Sequence, residues 1–285
     1  MFRKVLILGS QGTLGQALVT EFKNAKYNVL AWDKSDADVT SPKIDRKIGS
    51  IHPDIIINAT AYNAVDKIET DEEAKKLAYL LNADAPAKLA KIAKDIDAIF
   101  IHYSTSYVFP GDDKRGYKEA DKPAPIDEYG KSKLAGEIGV EKTRGKYYII
   151  RLSRLFGIRG VSEMSKRTFV EIMLSEIDKK ELEVGDTEVS SLTYAPDLAR
   201  LTRDIIEEKK PWGIYHGENE GLCTWYEWAR EIFSILGKGP MVIPAKHSLT
   251  PKTTKHPQYS GLINTKLPKQ RSWQEALREF LQNKK

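Results

Sequence analysis

Apolar bursts and amphipathic stretches alternate along the first half of the chain. Val5–Leu8 is a four-residue apolar run stopped by Gly9. Between Leu14 and Lys26, the residues Leu14, Ala17, Leu18 and Phe22 recur at helical spacing and predict a helix with one buried face. Asn28–Trp32 is a second strand candidate, ending at Asp33, and Asp54–Ala59 a third. The third carries an unbroken β-branched run, the pattern of a strand covered on both faces. A helical pattern from Thr70 to Asp95 is interrupted near Asn82–Pro86, and Ala98–Thr105 predicts another strand. A helix over about Tyr129–Lys142 leads to a strand at Tyr147–Leu152. This alternation predicts an α/β fold, a parallel sheet doubly wound with helices on both sides.

The second half is less regular, with Pro, Gly and Trp frequent after Pro211. Thr224 followed by Glu227 forms a capping box that starts a helix. Trp273–Leu281 predicts a short amphipathic helix. The chain shows no internal repeat and no low-complexity segment.

Composition narrows the class. With 285 residues, the chain can form one large domain or two modest ones. Hydrophobic residues make up 41% and charged residues 30%, and no apolar run approaches the ~18 residues of a spanning helix. The basic start, Arg3 and Lys4, precedes a run too short for a secretory leader, so it is expected to be a strand in a cytoplasmic protein. Cys223 is the single cysteine, which excludes an internal disulfide and a cysteine-rich zinc site. The net charge of +5 suits phosphate-bearing small molecules and does not argue for nucleic acid. Lys266–Arg271 is expected to be a solvated basic face. No histidine pair has metal-ligand spacing, so no metal site is expected.

Three places carry chemistry. Gly9, Gly12 and Gly15 of GSQGTLG lie between the first strand and the first helix. Such a turn lets backbone N–H groups approach a pyrophosphate at the positive end of a helix. Asp33, 18 residues past Gly15, stands where a carboxylate takes the adenosine ribose. That carboxylate favours NAD over NADP while the adjacent Lys34 works against the preference, so the choice stays open.

Tyr129 and Lys133 are four apart and share a helical face. Pulling the phenol from a pKa of ~10 toward ~7 takes about 4 kcal/mol. One ammonium at ~4 Å supplies that order of energy at an effective dielectric near 20. Such a tyrosine can protonate a carbonyl oxygen as hydride reaches the carbon. Tyr147/Arg151 and Tyr226/Arg230 have the same spacing, and only position after the nucleotide-binding turn singles out the first pair. Ser104 and Thr105 place hydroxyls at a strand end, where open α/β sheets bind ligands.

These residues resemble the extended short-chain dehydrogenases/reductases, and within them the dTDP-4-dehydrorhamnose reductase family. The likeness runs through GSQGTLG, NATAYNAVDKIE (Asn58–Glu69), YSTSYVFPG (Tyr103–Gly111) and YGKSKLAGE (Tyr129–Glu137). It continues in RLSRLFG (Arg151–Gly157), LTYAPDLA (Leu192–Ala199) and GIYHGENEGLCTWYEWA (Gly213–Ala229). The resemblance implies a Rossmann-like domain over 1–153, with a returning segment at about 187–210. It also implies a smaller mixed α/β substrate domain, mainly 154–285.

Gly9, Gly12, Thr13, Leu14 and Gly15 would line the pyrophosphate of NADPH or NADH, with Asp33 on the ribose. Asp38 and Val39 would flank the adenine, and Ala59, Ala61 and Tyr62 would pass beneath the cofactor. Thr105, Tyr129 and Lys133 would be the catalytic trio, with Tyr129 as proton donor and Lys133 on the nicotinamide ribose. Ser104, Ser106, Tyr107 and Arg154 are candidate substrate contacts. Magnesium accompanies some members, and no carboxylate set here marks a site for it.

Four departures lie on the expected substrate side. Ser106 replaces the family's acid, Arg154 its tryptophan and Leu192 its proline, and His256-Pro257 stands for Arg-Pro. The leading reading is reduction of a 4-keto nucleotide-sugar, with no nucleic-acid or membrane partner and a homodimer as the candidate assembly. Two alternatives stay open. One is a nucleotide-sugar epimerase or dehydratase. The other is a non-catalytic subunit like the regulatory subunit of methionine adenosyltransferase, which resembles the same family.

Overall fold

The computed structural model describes residues 3–162, 165–245 and 255–283. Its centre is a six-stranded parallel sheet: β1 (Lys4–Leu8), β2 (Asn28–Trp32), β3 (Ile55–Asn58), β4 (Ile99–Thr105), β5 (Tyr147–Leu152) and β6 (Gly213–His216). The spatial order is β2-β1-β3-β4-β5-β6. The chain moves outward from β1 to β2, then returns to the other side of β1 as β3. The crevice beyond the carboxyl ends of β1 and β3 is therefore the topological switch point, where such sheets take ligands.

The register explains the unbroken apolar runs. Ile57 lies between Ile7 of β1 and Ile101 of β4. Val5, Ile7, Ile55 and Ile57 join a core with helices α1 (Thr13–Asn24) and α8 (Ala195–Glu207). Leu6, Leu8, Ile56 and Phe100 alternate into a second core on the other face. That face is covered by helices α2 (Ile44–Ile51), α5 (Ala85–Asp95) and α6 (Glu128–Lys142). Because successive side chains of a strand point to opposite faces, a sheet covered twice has no polar alternation to show.

The expected interruption of the long helical region is real and has a defined form. After α3 (Val65–Thr70) and α4 (Glu72–Tyr79), one π turn at Leu80–Asp84 runs directly into α5. Asp71 caps α4 by accepting from the N–H groups of Glu73 and Ala74.

The second half contributes β6 and α8 to the sheet and builds a separate core. Phe156, Val170, Trp228, Trp273 and Phe280 are buried together there. The core brings together α7 (Phe169–Ser175), α9 (Trp225–Leu236) and α10 (Trp273–Asn283). Thr224 and Glu227 form the expected capping box. Cys223 is buried, and burial pushes its thiol up to about 12. Leu192, in place of the family's proline, is fully buried in this core. The stretch 266–271 is not simply a solvated face. Arg271 chelates Asp197 with Nε and Nη2 at 2.8 and 2.9 Å and pairs with Glu279, fastening α10 to α8. Among the described residues, no helix is long and apolar enough to cross a membrane.

Candidate active site

The glycine turn separates three roles. Gly9 adopts φ +76°, and Gly15 packs so tightly that a Cβ would lie 2.0 Å from the Gly9 carbonyl oxygen. Both are required by the chain itself. Gly12 is different: its φ is −70°, and a Cβ would meet that same oxygen at an ordinary 3.4 Å. Gly12 is the N-cap of α1, no side chain caps the helix and no acid occupies its first turn. The uncapped N–H groups and the space above Gly12 form a cradle that a Cβ would fill, which suits a pyrophosphate.

Asp33 braces the cradle. Its Oδ2 accepts from Gln11 N–H at 3.0 Å and its Oδ1 from Lys34 N–H at 2.8 Å. Asp38 turns inward on Thr40, whose N–H and hydroxyl both donate to it and hold its carboxyl below the usual range. Val39 is buried in the core. From the other side, the loop after Phe156 leans on the turn. Val161 N–H donates to the Gln11 carbonyl at 2.9 Å, and Gly160 N–H donates to Thr13 Oγ1 at 3.2 Å.

Segment 59–62 runs from the glycine turn toward Tyr129. The Ala59 carbonyl lies 3.0 Å from where a Gly9 Cβ would be, and the buried Tyr62 ring shares an apolar cluster with Tyr129. Ala61 between them is exposed. Asn82, fully buried in the π turn, accepts from Tyr62 N–H and donates to the Tyr62 carbonyl, both at 2.9 Å. It also donates to Ser132 Oγ at 3.0 Å, and Ser132 donates to the Tyr129 carbonyl at 2.7 Å. Asn82 thus ties the segment beneath the expected cofactor to the helix of Tyr129. In the sequence it shows only as a break in a helical pattern.

Thr105 ends β4 and caps the 3₁₀ turn Ser106–Val108, accepting from Tyr107 N–H at 3.2 Å. Its side chain lies near Tyr129 and favours the ionised phenol, and the Tyr107 ring meets Tyr129 edge-on at 5.8 Å. One turn along α6, the buried Lys133 donates to the Tyr103 carbonyl at 2.6 Å. The expected depression of the phenol is not what this arrangement gives. Burial pushes Tyr129 up to about 12, and the nearby Thr105 side chain opposes this only in part. Burial also lowers Lys133 to about 8, opposed by Glu137. The expectation counted the attraction between the two groups and left out desolvation, which dominates here.

Glu137, four residues beyond Lys133, makes a bidentate bond to Arg151 of β5 at 2.9 and 2.7 Å, both side chains being 1% exposed. This pair fixes α6 against the sheet. His102 in β4 is fully buried beside Asn58 at 3.3 Å, and desolvation keeps it neutral.

The candidate substrate contacts fare unequally. Ser104 and Ser106 are buried, with hydroxyls that find no hydrogen-bond partner among the described residues. Arg154 adopts φ +38°, which a side chain rarely tolerates. It donates to the Cys223 and Glu188 carbonyls, both at 3.0 Å, and lies over the Trp225 ring at 4.0 Å. It is therefore held by the second half of the chain. His256 bridges the Asp66 carboxylate at 3.0 Å and the Tyr107 hydroxyl at 3.4 Å. No group of three or more potential metal ligands occurs among the described residues.

The sheet order, the glycine turn and the meeting of Thr105 with Tyr129 define the extended short-chain dehydrogenase/reductase class. The family model described as RmlD substrate binding domain matches residues 3–285. The chain is 34% identical to the spore coat polysaccharide biosynthesis protein SpsK of Bacillus subtilis, covering 99% of this chain and 98% of that protein. It is 33% identical to dTDP-4-dehydrorhamnose reductase of Escherichia coli, covering 89% and 85%. The crystal structure of dTDP-4-dehydrorhamnose reductase from Bacillus anthracis in complex with NADP superposes with a TM-score of 0.92. That match has 32% identity and covers 99% of this chain and 100% of that one. The chain belongs to the dTDP-4-dehydrorhamnose reductase (RmlD) family.

Proposed function

We propose that the protein reduces the 4-keto group of a nucleotide-linked deoxysugar with NADPH or NADH. The observation that carries this reading is the approach of the Thr105 side chain to Tyr129 at the carboxyl end of β4, with Lys133 one turn away. The names of the relatives and the NADP of the Bacillus anthracis structure support it. Gly12, Thr13, Leu14 and Asp33 would hold the dinucleotide, and its nicotinamide would supply the hydride. Thr105 orients the carbonyl oxygen, and Tyr129 donates the proton that this oxygen needs as its carbon is reduced. A phenol raised to about 12 is fully protonated at neutral pH, which suits a donor. Lys133, one turn along α6, would be the cation that offsets charge developing on the phenolate.

The test is cofactor oxidation against a panel of 4-keto nucleotide-sugars with Tyr129→Phe beside the wild type. Turnover is expected to fall by roughly 10²–10⁴, with cofactor affinity kept. A near-wild-type rate would remove Tyr129 from the mechanism.

A further inference from the structure

Asp127 is the N-cap of α6, two residues before Tyr129, and is 2% exposed. Its Oδ1 accepts from Gly130 N–H at 2.6 Å. Its Oδ2 is buried and finds no hydrogen-bond partner among the described residues. A helix cap needs one oxygen, and asparagine or serine serves as well as aspartate. A second, unsatisfied carboxylate oxygen is therefore not explained by capping, since burying a charge in this way is unfavourable.

The groups around it explain it better. Glu69 at the end of α3 faces it and disfavours its ionisation, while His256 and Lys131 favour it. Tyr129 on its own helix and Tyr107 on the 3₁₀ turn both feel its charge. Glu69 in turn accepts from Glu128 N–H, holding the start of α6 in place.

We infer that Asp127 is a positioning residue whose buried carboxyl, packed in the same helical turn as Tyr129, sets how readily that phenol releases its proton. The inference rests on Tyr129 being the proton donor. When Asp127 is neutral, phenolate formation meets no local anion, and Tyr129 gives its proton to the substrate more easily. When Asp127 ionises, a second negative charge beside the forming phenolate opposes the step. Burial raises the Asp127 carboxyl to about 6, which brings this change into the working range of an enzyme.

The experiment follows the Tyr129 ring carbon by NMR in full-length protein labelled at tyrosine Cζ, the line being identified by its loss in Tyr129→Phe. The wild-type line is expected to move with a midpoint near Asp127's value of about 6. Asp127→Asn, which keeps the cap, should abolish that movement without lowering the thermal midpoint. His256→Gln, which removes a charged neighbour of Asp127, should retain it. In turnover, the wild-type kcat for reduction should fall roughly threefold to tenfold as Asp127 ionises, and the Asp127→Asn profile should be flat. A Tyr129 line that still moves in Asp127→Asn, or that stops moving only in His256→Gln, overturns the inference. Absence of reductase turnover would count against the proposed function alone, because the NMR titration decides the role of Asp127 independently.

Discussion

Helices α1 and α6 pack against the same sheet with opposite chemistry. α1 buries Leu14, Leu18 and Phe22, whereas α6 buries Ser132, Lys133, Gly136 and Glu137. The first is an ordinary amphipathic helix whose apolar stripe meets the core. The second puts an ammonium and a carboxylate where a stability-driven sequence would put leucines. Buried charge is unfavourable unless it is paired. Glu137 finds Arg151, while Lys133 has one short bond to the Tyr103 carbonyl. The contrast separates a helix that holds one face of the sheet by apolar burial from a helix on the other face that buries charge.

Substitutions should sharpen that division. Leu18 is fully buried in the α1 core, so Leu18→Ala should destabilise the protein by about 2–5 kcal/mol. Denaturant unfolding would show this, with kcat of the remaining folded enzyme unchanged. Lys133→Met should do the reverse. Lys133 is lowered to about 8, so its charged form is disfavoured in the folded state by up to about 3 kcal/mol relative to the unfolded chain. The variant should be more stable than wild type at pH 7 and nearly inactive. Its advantage should shrink as pH rises past about 8, where the wild-type lysine begins to lose its charge, and vanish near the ordinary lysine value. A destabilised Lys133→Met at pH 7 would contradict this account of α6.

Within α1 the same division recurs on a smaller scale. Gly12→Ala has room for its methyl, so the thermal midpoint should hold while cofactor affinity drops roughly tenfold, an estimate based on the close backbone approach such turns need. Fluorescence titration with NADPH and NADH would measure it. The smallest effect concerns Asp33. Asp33→Ala removes the carboxylate that would repel a 2′-phosphate, and the ratio of kcat/KM for NADPH over NADH should rise several-fold. An unmoved ratio would mean that Asp33 serves only to brace Gln11.

The same physics explains what could be seen in the sequence. The central strands announce themselves as unbroken apolar runs, as in Ile55–Ile57, and α1 by the helical spacing of Leu14, Leu18 and Phe22. The glycine turn could be read because a close backbone approach constrains residue type and interval, and the Tyr129–Lys133 pair because of its position after that turn. Asn82 and Asp127 could not, because the bonds of Asn82 to Tyr62 and Ser132 span 20 and 50 residues and the burial of Asp127 depends on distant segments. The second core assembles Phe156, Trp228, Trp273 and Phe280 from distant segments joined by short strands, so no local period reports it. Arg154 was expected at the substrate side from a family position. Its left-handed backbone and its bonds to Cys223 and Glu188 depend on a partner segment that its own neighbourhood does not reveal.

The most direct measurement is transfer of label from cofactor to sugar. The protein would be incubated with NADPH or NADH carrying deuterium at nicotinamide C4 and with 4-keto nucleotide-sugars, and the products weighed by mass spectrometry. The account predicts one deuterium on the reduced sugar for each cofactor oxidised. Cofactor that binds without passing its label, or sugar that isomerises with no net cofactor oxidation, would contradict it.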